Sequence, residues 1–197
     1  MSVVANEAAS LQRRGDGERS ARLQQEVDAM QRQIDWHLAR TRIAGARRAG
    51  QATPVAPVLE RLQRTLQRLY GERGVVIEMK TPSHIAFAGE SQDLEQMIGN
   101  LLENACKWAQ GVVSVATTSA DNGVVFVIDD DGPGLDADQR ERAGQLGVRF
   151  DERMPGSGLG LAIVTDLAAA YGGSLTLARS VAGGLSATLR LPGAPGG

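Results

Sequence analysis

One cysteine and two histidines in 197 residues leave little room for several kinds of chemistry. The lone Cys106 excludes an internal disulfide and any Cys-rich zinc site, and its place in an apolar helical stretch reads as a small buried hydrophobe. A formal net charge of −2 offers no basic surface for nucleic acid. No run approaches the ~18 apolar residues of a membrane span, and no signal-peptide pattern opens the chain. These absences lead to the expectation of a soluble, cytoplasmic chain. No Gly-Lys-Ser/Thr follows any Gly-rich turn, so there is no Walker A loop.

What is present is a chain that is 42% hydrophobic, enough to bury a sizeable core. Its most informative stretch is residues 94–108, LEQMIGNLLENACKW. Leu94, Met97, Ile98, Leu101, Leu102 and Ala105 recur at helical spacing, so one face packs on a core. Asn100, Asn104 and Lys107 follow at plus four and plus three, stacked on one side of the same helix. Two amides and an ammonium in one column suit a cation and an anion better than a core. The helix reads as the floor of a nucleotide site.

Residues 1–48 read as a helical hairpin broken by RRGDGE at 13–18. Leu23, Val27, Met30, Ile34, His37 and Thr41 form a heptad seam, which implies pairing with a second copy. His37 is weighed as a phosphoacceptor and favoured as a half-buried seam residue. His84 reads as a loop or strand-edge residue. The Gly and prolines of AGQATPVAP at 49–57 mark a linker, which the domain division sets at 49–53. Val55, Leu59, Leu62, Leu66 and Leu69 give an amphipathic helix ended by Gly71. Short apolar runs at 75–79 and 85–88 have strand length. Residues 112–118 and 124–128 flank an Asp121-Asn122-Gly123 turn signal and form a hairpin.

DDDGPG comes next at 129–134, and residues 135–155 read as a mobile loop. Gly156-Ser157-Gly158-Leu159-Gly160 then opens a helix with Leu161, Val164, Ala168 and Tyr171 on one face. A hairpin at 174–179 and 185–191 closes the fold, and residues 193–197 form a disordered Gly/Pro tail. With adjacent strands joined by short turns, the expected class is an α+β sandwich: a mixed or mostly antiparallel sheet with a helical layer on one face. A Rossmann reading fails for lack of a parallel βαβ unit.

Each motif alone is weak. A carboxylate at Asp130, held where a strand enters the Gly132-Pro133-Gly134 turn, suits an adenine amine, but an ordinary acidic turn reads the same way. GSGLG before a helix suits phosphate, and Gly-rich turns are common. Asn104 offers Mg²⁺ an amide oxygen and Lys107 neutralises phosphate. Trp108 fits either beside the nucleotide or in the core.

Together, Asn-x-x-x-Asn-Ala-x-Lys-aromatic, Asp-x-Gly-x-Gly and Gly-x-Gly-x-Gly, in that order, resemble the ATP-binding domain of sensor histidine kinases. This is the Bergerat fold, shared with type II topoisomerases and MutL. Residues 100–108 resemble the N box, 130–134 the G1 box and 156–160 the G2 box. The run from Arg149 to Gly160 looks most similar to the PhoQ branch. The resemblance covers the ATP-binding domain at 54–192; the 1–48 hairpin more loosely resembles the dimerisation and phosphotransfer domain.

The resemblance implies that Asp130 binds adenine, with Gly132 and Gly134 beside it. It implies that Asn100 and Asn104 hold Mg²⁺ and that Lys107 binds phosphate. Gly156, Ser157, Gly158, Leu159 and Gly160 would bind the triphosphate of ATP. Residues 135–155 would be the ATP lid, with Arg149 reaching the nucleotide. Asn100 stands where the ATPase branches have a glutamate that activates water, and an amide cannot act as a general base. That implies phosphoryl transfer rather than hydrolysis.

Trp108 replaces the family's usual Tyr or Phe, and only Phe150 remains of the aromatic box in the lid. No H box is present: His37 is followed by Leu38 and Ala39, where the family has an acidic residue. The opening SVVANEA resembles the segment just after the H box in kinases of this kind, so the expectation is a first helix cut just past the acceptor. The implied partners are the phosphoacceptor histidine of a longer kinase chain, a response-regulator receiver domain and a second copy joined through the hairpin. The implied location is the cytoplasmic part of a membrane-bound sensor. Two alternative functions fit the same motifs: a serine kinase of anti-sigma type and a non-catalytic nucleotide-sensing dimerisation module.

Overall fold

The structure is a computed structural model that describes residues 51–120, 123–143 and 158–194. The 1–48 hairpin, His37, Arg149, Phe150, Gly156 and Ser157 therefore lie outside the described residues. Strand β1 (Thr53–Pro54) leads into helix α1 (Val55–Tyr70) and a short 3₁₀ turn (Gly71–Arg73). Strands β2 (Val76–Lys80) and β3 (Ala86–Phe87) precede helix α2 (Ser91–Trp108). Strands β4 (Val112–Ala120) and β5 (Gly123–Asp130) are followed by helices α3 (Ala137–Arg142) and α4 (Gly160–Ala170). Strands β6 (Ser174–Arg179) and β7 (Leu185–Pro192) complete the order.

The main sheet has five strands in the order β2-β4-β5-β7-β6. Only β2 and β4 run parallel; every other pair is antiparallel. The mixed sheet expected from the short turns is what forms. Alternation decides its faces. Val113 and Val115 on β4, Val124, Phe126 and Ile128 on β5, and Ala187, Leu189 and Leu191 on β7 are buried. The intervening residues face the other side, and the helices cover the buried face. Along α2, Leu94, Met97, Ile98, Leu101, Leu102, Ala105 and Cys106 are buried, as the helical spacing required. Helix α4 buries Ala162, Ile163, Val164, Leu167 and Ala168.

Several expectations are corrected. The stretch expected to be linker contributes structure. Thr53 and Pro54 pair with Phe87 and Ala86, Val55 starts α1, and the buried Thr53 hydroxyl donates to the Gly89 carbonyl at 2.6 Å. The 85–88 run thus forms a separate two-stranded sheet instead of joining the main one. Gly193 and Ala194, expected in the disordered tail, bridge back to Phe87 and Ala86. Within the expected loop, α3 forms because Asp136 and Gln139 make a reciprocal capping box. Leu69, expected in the buried stripe of α1, is 66% exposed. It sits roughly 200° round the helix from Gln67, which faces the sheet.

That face of α1 has a specific task. Among the described residues strand β2 is an edge, so one side of its backbone has no strand partner there. Gln67 donates to the Val75 carbonyl at 2.8 Å and accepts from the Ile77 N–H at 3.0 Å. Gln63, one turn earlier, donates to the Ile77 carbonyl at 2.8 Å. Two amide side chains at i and i+4 stand in for a neighbouring strand.

Candidate functional site

The inward alternation of β5 does not stop at its apolar residues. Val124, Phe126 and Ile128 are followed, two residues on, by Asp130, a carboxylate 2% exposed at the end of the strand. Its Oδ1 accepts the backbone N–H of Gly132 at 2.9 Å and that of Leu185 at 3.2 Å. No hydrogen bond reaches Oδ2 among the described residues. Burial raises the Asp130 carboxyl above the usual carboxylate value. The Gly132 and Leu185 N–H groups work against that rise, and Asp131 and Asp129 add to it.

The surroundings of this carboxylate have no room for side chains. A Cβ on Gly184 would lie 2.0 Å from Asp130 Oδ1, and one on Gly132 would lie 2.4 Å from the Trp108 carbonyl oxygen. Both positions need glycine for close approach. The DGPG turn is thereby pressed against the end of α2 on one side and the β6–β7 connection on the other.

On α2, Asn100, Asn104, Lys107 and Trp108 are all half-buried. The Asn100 amide donates to the Gln96 carbonyl at 2.8 Å, which turns its oxygen toward α4. A Cβ on Gly160 would meet that Oδ1 at 3.2 Å. Asn104 makes no side-chain hydrogen bond among the described residues. The Lys107 ammonium lies 5.0 Å from the centre of the Trp108 ring. Gly158 has a left-handed backbone (φ 68°), and Leu159 packs against the core just before α4 begins. The structure thus brings together Asn100 with Gly160, and Trp108 with Gly132 and Asp130.

His84 is exposed in the loop before β3, as expected. Burial pushes the Cys106 thiol up to about 11, with Arg73 opposing the rise, so the thiol stays protonated and inert. Among the described residues no group of three or more His, Cys, Asp or Glu side chains is placed to hold a metal. A cation here would depend on the oxygens of Asn100 and Asn104 together with phosphate and water, a donor set that suits Mg²⁺. Among the described residues no helix is long and apolar enough to cross a membrane.

Three contributions escaped the sequence reading. Leu185 reaches Asp130 from 55 residues away through its backbone, which leaves no mark on residue identity. The Gly183-Gly184 pair before β7 was the available signal. Asp131 accepts the N–H groups of Gln110, Gly111 and Val112. Arg73 donates to the Lys107 carbonyl at 3.3 Å.

Residues 89–195 match the family described as histidine kinase-, DNA gyrase B- and HSP90-like ATPases. The sensor protein PhoQ of Escherichia coli K12 is 32% identical over 161 residues, covering 81% of this chain and 33% of PhoQ. The solved mycobacterial sensor histidine kinase MprB is 30% identical with a TM-score of 0.66, covering 74% of this chain and 98% of that one. Full-length ShkA, solved in complex with AMPPNP, is 26% identical with a TM-score of 0.70, covering 93% of this chain and 40% of ShkA. The chain spans 38% and 33% of the length of the first curated relatives it matches. With a core that buries an aspartate at the end of β5 and a glycine-rich turn at α4, this chain belongs to the histidine kinase-, DNA gyrase B- and HSP90-like ATPase family, among its sensor histidine kinases.

Proposed function

We propose that this chain binds Mg·ATP and delivers the γ-phosphoryl group to a histidine on a kinase chain, for relay to a response-regulator receiver domain. The observation that carries the reading is Asp130. Its Oδ1 is occupied by two backbone donors while Oδ2 keeps its accepting capacity. A buried acceptor with one oxygen anchored and one open suits the exocyclic amine of adenine, and Gly132 lets a flat base approach. The crystallised complex of ShkA with the ATP analogue AMPPNP supports nucleotide binding.

The remaining roles rest on chemistry. Lys107 neutralises phosphate charge, and Trp108 packs beside the nucleoside. Gly156, Ser157, Gly158, Leu159 and Gly160 offer backbone N–H groups at the start of α4 to the triphosphate. Asn100 and Asn104 would hold Mg²⁺, which would draw charge from the phosphate oxygens during transfer. Residues 135–155 act as the lid, and Arg149 within it neutralises phosphate. An amide at Asn100 cannot deprotonate water, so the site positions ATP for an external acceptor instead of hydrolysing it.

Neither histidine of this chain carries the acidic neighbour of the family's acceptor, so the acceptor belongs to a longer kinase chain. The 1–48 hairpin pairs two copies, and the assembly works on the cytoplasmic side of a membrane-bound sensor. The test mixes this chain, γ-labelled ATP and a kinase chain that carries the acceptor histidine but has an inactivated ATP site. Label on the partner supports the reading. Nucleotide binding without transfer replaces it with a sensing module, and stable label on this chain that His37→Ala abolishes replaces it with self-phosphorylation.

A further inference from the structure

Asp131, between the buried Asp130 and the glycine turn, has no part in the roles above. Its carboxylate turns to the connection between α2 and β4. Oδ1 accepts the backbone N–H groups of Gln110 at 2.8 Å and Gly111 at 3.1 Å, and Oδ2 accepts that of Val112 at 3.0 Å. The β4–β5 ladder begins one residue later, where Val113 pairs with Asp130. The side chain of Asp131 therefore extends the ladder beyond the point where the backbones part.

This connection has few other anchors. Gln110 is exposed, Gly111 has no side chain, and Val112 is 41% exposed. Beyond Asp131, the Gly111 carbonyl accepts the Val76 N–H at 2.8 Å, and Ala109 is buried. Immediately upstream stand Lys107 and Trp108. One end of the segment is thus the last turn of α2, and the other is tied to the residue adjoining Asp130.

We propose that Asp131 is a positioning residue: by clamping Gln110, Gly111 and Val112 to the Asp130 turn, it holds Lys107 and Trp108 in register with the base-binding carboxylate. The proposal rests on the nucleotide reading of the site. Asp131 touches no substrate; it acts through the exit of α2. Asp129, two residues earlier, lies inside the β4–β5 ladder opposite Ser114, and among the described residues its side chain makes no hydrogen bond to Gln110, Gly111 or Val112.

The experiment measures Mg·ATP affinity by calorimetry on the whole chain, well below its melting temperature, for the parent, Asp131→Ala, Asp131→Asn and Asp130→Asn. Asp131→Ala is expected to bind roughly tenfold more weakly, as loss of a supporting contact does elsewhere. Asp131→Asn recovers part of the loss, because its amide oxygen still accepts from Gln110 and Gly111. A role confined to stability would lower the melting temperature and leave the affinity of folded molecules unmoved. A folded Asp131→Ala that binds within about twofold of the parent overturns the proposal. If that variant does not fold, Asp131→Asn decides: weaker binding supports the clamp, and unchanged binding overturns it. Asp130→Asn separates the two readings. If it binds like the parent, or the parent does not bind, the site assignment falls and the clamp with it. If it alone loses binding, only the clamp falls.

Discussion

Asn100 and Gly160 meet side chain to backbone: a Cβ placed on Gly160 would come within 3.2 Å of the Asn100 amide oxygen. The contact joins α2 to the first residue of α4. The Asn100 amide nitrogen is held by the Gln96 carbonyl, so the oxygen has little freedom to withdraw. Gly160→Ala is therefore expected to displace Asn100 by a few tenths of an ångström without unfolding the chain. Nucleotide affinity should fall by about 1 kcal/mol, roughly fivefold, in a calorimetric titration with Mg·ATP. Equal affinity in the variant would show that Asn100 does not contact the metal–phosphate group.

Asp130→Asn separates ligand recognition from stability. The amide oxygen can keep both backbone donors, Gly132 and Leu185, while the amide nitrogen replaces the open Oδ2. A donor then faces the adenine amine. Affinity for ATP should drop by about 1.5–3 kcal/mol, the worth of a hydrogen bond to a charged group. Stability in urea should hold or rise, because the burial that disfavours the charged form no longer applies. Asp130→Ala is the less informative change, since it also strips two buried N–H groups of their acceptor.

The two adjacent aspartates make opposite contributions to acid stability. Burial is the largest single influence on Asp131 and pushes its carboxyl up, but the N–H groups of Gly111, Val112 and Gln110 together outweigh it and hold the carboxyl below the usual value. A depressed folded value gives stability that is complete above the unfolded value of about 3.9 and is lost as pH falls through the folded value. Asp130 is raised chiefly by burial, so its ionisation costs stability above its folded value, and that cost fades as pH falls toward the unfolded value. Urea titrations from about pH 3 to 7 should show a shallower loss of stability at the acid end for Asp131→Ala than for the parent. Asp130→Asn should gain relative to the parent as pH rises. An unchanged acid limb in Asp131→Ala would contradict the three-donor clamp.

Tyr171 closes α4 and binds across to α2. Its hydroxyl donates to Asp93 Oδ2 at 2.6 Å, and its ring meets Phe87 edge-on at 4.9 Å. Asp93 has no exposed surface. Tyr171→Phe keeps the ring packing and removes one donor from a buried carboxylate. A loss of roughly 1–3 kcal/mol in urea unfolding is expected, with nucleotide affinity nearly unchanged. A loss below about 0.5 kcal/mol would mean that other contacts satisfy Asp93 without the hydroxyl.

Periodicity made much of this fold legible. The apolar spacing of α2 marks the face that is buried, and the polar column of Asn100, Asn104 and Lys107 stands beside it on the half-buried side. The alternation Val124, Phe126, Ile128, Asp130 already places a carboxylate at a core-facing position, an arrangement that needs a reason. Less legible were features that depend on two distant segments meeting. Nothing in the spacing of Gln63 and Gln67 shows that they stand beside an edge strand. Nor does the composition of residues 51–54 show that Thr53 pairs near Phe87. Short strands without alternation of their own are assigned by partners, and partners lie outside a local window.

The sequence by itself determined the order of the long elements, most of the core face of each and the three motifs that mark the family, because those depend on periods of two and 3.6 residues and on local turn chemistry. Tertiary structure alone decided what Asp130 became. Its Oδ1 is occupied because Leu185 arrives from another strand, Gly184 and Gly132 approach closely because they have no side chains, and the neighbouring Asp131 is tied to the connection that follows α2. These are backbone donors and missing atoms brought together by folding, and no residue's identity announces them beforehand.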